Sequence, residues 1–104
     1  MSEKVEAAFI FLAPNANPVV HRGVVNTPII HLTVVGVSKY SDAVDVAKKL
    51  VETGVQAIEL CAGFGNEGAA MVSKAVSGKA CVGVVRFDHH PSLRNKSGDE
   101  IFNS

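Results

Sequence analysis

GVQAIELCAGFGNEGAAMVSKAVSGKACVGVVRFDHHP, residues Gly54 to Pro91, is the stretch on which the fold turns. An apolar run from Val55 to Ala62 leads into the turn Gly63-Phe64-Gly65-Asn66. A helical segment follows over Glu67 to Ser77, with Gly78 as its stop, and a second apolar run covers Ala80 to Phe87. Short, nearly continuous apolar runs suit strands of a parallel sheet, whereas Ala69, Val72, Ala75 and Val76 recur at helical spacing.

The same pattern extends upstream. Ile29 to Val37, IIHLTVVGV, reads as a strand. A helix follows with Ser41 as N-cap, Asp42 and Asp45 in its positive first turn, and Gly54 as its terminator. Ala43, Ala47, Leu50 and Val51 form its apolar stripe. Ala7 to Ala13, AAFIFLA, is the first strand, closed by Pro14. Between Pro14 and Pro28 the composition shifts to Asn, Pro, Gly and His, which predicts a loop or a short helix opened by Asn17-Pro18 and ended by Gly23.

Strands alternating with helices predict an α/β fold: a small, mainly parallel four-stranded sheet with helices on both faces and right-handed crossovers. The alternative is a half-barrel completed by another copy, because four strands leave two exposed edges. Either arrangement predicts a homo-oligomer. With 104 residues the chain holds one domain. Residues 88–104 form a polar C-terminal arm that docks Leu93, Ile101 and Phe102 on its own or a neighbouring subunit.

Ten basic and ten acidic side chains give a formal net charge of zero, which argues against a nucleic-acid partner. No apolar run approaches a membrane span and no signal-like start is present, so a cytoplasmic protein with reduced Cys61 and Cys81 is expected.

Ligands of parallel α/β sheets bind beyond the carboxyl ends of the strands. Alternation places Glu59, Cys61 and Gly63 on one face. If the last two strands end level, Arg86 lies beside Cys61 and diagonal to Glu59. Glu59 is then a candidate general base and Arg86 an anchor for a small anionic ligand, unless the two form a self-satisfying ion pair. Gly63, Phe64, Gly65 and Asn66, ahead of a helix N-terminus, can approach an anion, with Asp88 beside them. The turn GFGNEG fits GxGxxG spacing through Gly68, but no acidic residue follows at the distance a dinucleotide site requires. Cys61 is a candidate nucleophile, or a small buried hydrophobe. His89 is a candidate proton donor or acceptor. Asp88, His89 and His90 can alternatively ligate a metal for hydrolysis or oxygen chemistry, helped by His21 or His31, although HxH spacing is absent. A third reading is a non-catalytic assembly or regulatory module. The sequence names no cofactor.

The blocks AAFIFLAPNANP, TVVGV, GVQAIELCAGFGNEG and VGVVRFDHHP resemble a family of small single-domain bacterial proteins of uncharacterised function. The resemblance implies a compact domain and no particular chemistry. More loosely, GVQAIEL followed by a glycine turn is similar to a strand unit of (β/α)-barrel enzymes.

Overall fold

A computed structural model describes residues 4–103. The regular elements are β1 (Val5–Leu12), β2 (Arg22–Asn26), β3 (Ile30–Val37), α1 (Tyr40–Glu52), β4 (Ala57–Leu60), α2 (Asn66–Ala75), β5 (Cys81–Val84) and α3 (Gly98–Phe102). A 3-10 turn spans Pro91–Leu93. The strands form one sheet in the order β2-β3-β1-β4-β5, parallel throughout except that β2 runs antiparallel to β3.

The α/β class and the parallel core agree with the sequence reading, but the sheet has five strands. The fifth, β2, lies in the segment expected to be a loop or short helix. Asn17 does start a turn, its side chain accepting the Val19 N–H at 2.8 Å. Beyond it, Gly23, Val24 and Val25 continue as extended chain. Thr27 then closes a hairpin: its N–H donates to the Ile30 carbonyl at 2.8 Å, and its Oγ1 accepts the Ile30 N–H at 2.9 Å.

Helix α1 begins one residue before the expected cap. Lys39, in extended backbone, holds the N-cap position without a side-chain bond, and Tyr40 opens the helix already buried. Tyr40, Ala43, Val46, Ala47 and Leu50 form the inward stripe. At the far end Thr53 Oγ1 donates to the Leu50 carbonyl at 2.7 Å, and Gly54 takes φ 105°, a conformation that favours glycine.

The helices do not sandwich the sheet as expected. The alternate residues Ala8 and Ile10 of β1, Val35 and Val37 of β3, and Ile58 and Leu60 of β4 point to one face, where they pack with α1, α2 and Phe64 into the core. On the opposite face lie Ala7, Phe9 and Phe11 of β1, Leu32 and Val34 of β3, and Ala57 and Glu59 of β4. No helix of the described residues covers them.

Candidate functional site at the strand ends

The register of β4 and β5 decides which polar residues meet. Glu59 lies opposite Gly83 and Leu60 opposite Val84, one residue away from the level alignment read from the sequence. A one-residue slip reverses the face of every side chain. Glu59, between the core residues Ile58 and Leu60, projects exposed from the face the helices leave bare, and the slip turns Arg86 to the other face. Arg86 instead bonds Asn66 at the start of α2, over the other face. The expected Glu59–Arg86 pair does not form, and Glu59 is separated from the rest of the candidate site.

Arg86 is held by two oxygens. Its Nε donates to Asp88 Oδ1 at 2.8 Å, and its Nη1 donates to Asn66 Oδ1 at 3.1 Å. These three residues, with Phe64, Gly65 and Asp99, line a small polar pocket of about 120 Å³. Arg86, Asn66, Gly65 and Asp88, all read from the sequence as ligand-binding candidates, thus meet in one pocket. Phe64, at the wall of this pocket, is buried and stacks on Tyr40, with ring centroids 5.5 Å apart and planes within 12°.

The anion position at the start of α2 is filled by the chain itself. Asp99, from α3, accepts the Glu67 N–H at 3.1 Å, the Gly68 N–H at 3.3 Å and the Tyr40 hydroxyl at 2.9 Å. Tyr40 Oη in turn accepts the Gly65 N–H at 3.0 Å. A carboxylate suits this place because the first N–H groups of a helix lack intrahelical acceptors and lie at its positive end. Burial, reinforced by the Asp99 carboxylate, pushes the Tyr40 hydroxyl well above the ordinary tyrosine range. Gly65 is glycine for a spatial reason, since a Cβ there would run into the Asp99 carboxylate.

The C-terminal segment packs on its own chain. Phe102 joins the core and Leu93 packs against it, while Ile101 stays partly exposed. His90 and Lys96 pair as an antiparallel bridge that pinches off the loop between them, in which Arg94 and Asn95 take left-handed φ of 57° and 59°. Between this segment and the ends of β1 and β4 lies a second cavity, of about 520 Å³. Its wall is mainly Leu12, Pro14, Leu93, Ile101 and Phe102, with Cys61, His90, Ser92 and Arg94 as the polar groups. Cys61 Sγ accepts the Leu12 N–H at 3.3 Å and the Gly63 N–H at 3.2 Å. His90 Nδ1 accepts the Ser92 N–H at 3.0 Å, which assigns the proton of the neutral ring to Nε2.

The metal reading does not assemble. Among the described residues no group of three or more His, Cys, Asp or Glu side chains could hold a metal ion. Asp88 is engaged by Arg86, His90 tilts against Phe87 at 4.6 Å, and His89 is exposed. His31 bonds Glu6 at 3.0 Å, and His21 caps the turn at Asn17, away from the strand ends. No described helix is long and apolar enough to cross a membrane.

Sequence reasoning missed Asp99, Tyr40, Leu12 and Arg94. Ser97-Gly98-Asp99-Glu100 does carry a helix-start signature, with the Ser97 N–H donating to the Glu100 carboxylate at 3.1 Å. Nothing in that spacing says that Asp99 also serves a different helix.

The fold and site define a single-sheet α/β protein whose strand ends form an apolar cavity beside a self-occupied anion position. A family model described as a family of unknown function, DUF6506, matches residues 5–100, and the chain belongs to that family. No curated protein and no solved structure matches it.

Proposed function

We propose that this protein binds a small molecule with an apolar body and one anionic group in the cavity between the ends of β1 and β4 and the C-terminal segment. The observation that carries the reading is that cavity: its wall is mostly apolar, it opens at the carboxyl ends of parallel strands, and a few polar groups converge on it. Arg94 is the cation for the anionic group, and His90 Nε2 and Ser92 are further hydrogen-bonding groups. Arg86, first read as the anchor, already has Asp88 and Asn66, and the N-terminus of α2 already has Asp99. An anion entering there must displace a carboxylate, whereas the larger cavity requires no displacement.

The reading is tested by thermal unfolding against a panel of medium-chain and aromatic carboxylates and their neutral amides. Ligand at about one hundred times its Kd adds about 2.7 kcal/mol, which in a domain of this size raises the melting temperature by roughly ten degrees or more. Ala13→Phe, which fills the cavity, is expected to abolish the rise, and Arg94→Ala to remove the preference for carboxylate over amide. A panel without effect, or a rise undiminished by Ala13→Phe, would refute the assignment.

A further inference from the structure

The hairpin formed by β2 and the start of β3 carries exposed apolar side chains that no helix layer covers. All five residues of β2 are exposed. Val19, Val20 and Ile29 around it keep 81%, 67% and 68% of their surface, and Val24 and Val25, which point to opposite faces, keep 56% and 54%. From Val25 the exposure continues across the bare side of the sheet to Ile30 and Val5, with Phe9, Leu32 and Val34 only half-buried by their sheet neighbours.

We infer that this surface, the bare half-sheet β2-β3-β1 with its projecting hairpin, is where a second copy of the chain docks. The area is of the right size. The exposed valines and isoleucines on the two sides of the hairpin and on the adjoining bare face together present on the order of 700 Å², near the ~800 Å² each partner contributes to a standard interface when the partner's hairpin covers both sides.

The chemistry selects a copy of the same chain. A sheet face of alternating apolar side chains packs on its like about 10 Å away, and a two-fold axis makes the same patch serve both partners. The formal net charge of zero gives identical copies no net repulsion. Among the strand residues of this face the one charged side chain is Glu59, on β4, beyond the apolar half and toward the β5 edge. It stays at the wet rim when β2, β3 and β1 are covered, which avoids the cost of burying a lone carboxylate. Overlap of the two hairpins also accounts for apolar residues on both sides of β2, since each arm is gripped between its own sheet edge and the partner.

Sedimentation equilibrium over about 5 to 100 µM tests this. The wild type is expected at twice the single-chain mass of 10.9 kDa, with a melting temperature that climbs with concentration. Val25→Arg and Ile30→Glu, both at sites already exposed in the single chain, are expected to give folded monomers by circular dichroism. Met71→Arg, on exposed α2, should remain dimeric. A wild type at 10.9 kDa throughout overturns the inference, as does a dimer that survives both variants. So does a monomer that cosediments with phosphatidylcholine vesicles, which would assign the surface to lipid. Should either variant fail to fold, amide exchange of wild-type β2 decides: protection that rises with concentration supports the dimer, and protection independent of concentration refutes it.

Discussion

Asp99 shows how one side chain can make a binding position unnecessary. It neutralises the start of α2, satisfies two backbone donors that the helix cannot, and orients the Tyr40 hydroxyl. Asp99→Ala leaves those donors without a protein partner and is expected to lower stability by about 1–3 kcal/mol, read from the urea midpoint. Asp99→Asn, which keeps one acceptor oxygen, should lose less. Equal midpoints for wild type and Asp99→Ala would show the carboxylate to be incidental. Tyr40 adds a pH dependence of known sign. Burial and Asp99 raise its folded pKa above the unfolded value of 10.0, so above that value the unfolded chain releases a proton that the folded chain retains. Stability is therefore intact below about pH 10 and falls as pH climbs beyond it. The difference in unfolding free energy between wild type and Tyr40→Phe should accordingly narrow from pH 9 to pH 11; a constant difference would contradict the raised pKa.

At the level of elements, α3 and the turn before it are short, yet they close both the anion position and the cavity. Phe102 is 6% exposed and packs in the core. Phe102→Ala is expected to cost about 3–5 kcal/mol and to weaken any carboxylate bound in the cavity. Unchanged stability would mean that the segment merely rests on the domain. The elements also separate what the sequence could reveal from what it could not. The alternation of apolar runs with helical stripes made β1, β3, α1, β4, α2 and β5 legible, because burial imposes its period on the residues themselves. β2 was hidden: Arg22, Gly23 and Asn26 dilute its two valines, and its pairing comes from the Thr27 hairpin and from β3. Glu59 and Arg86 were misplaced together because a register is a relation between strands, and neither strand's own pattern fixes a shift of one residue. Arg86, although on the other face from Glu59, does share a pocket with Asn66 and Gly65, since all three sit where a strand or helix terminus was recognised. Asp99 joins α2 across more than thirty residues, a contact with no local signature.

Across the whole molecule, protection is expected to follow distance from the two edges. β1 is paired on both sides, with β3 and with β4, and its inward residues Ala8 and Ile10 are fully buried. β2 and β5 each pair on one side only. In the single chain the slowest-exchanging amides should thus be those of β1 and of the buried half of β3, opening only with global unfolding, while β2 opens locally. This order bears on assembly. If a second copy covers the hairpin, β2 loses its status as a free edge and its exchange slows with concentration, but β5, beside the rim residue Glu59, does not respond. The β2 and β5 amides thus act as sample and internal reference in one hydrogen-exchange experiment. Equal slowing at both edges would point to end-on pairing of strands through β5 instead of packing of sheet faces. Slowing at β2 alone would leave the cavity at the carboxyl ends of β1 and β4, the opposite end of the sheet from the Thr27 turn, open to ligand in the dimer.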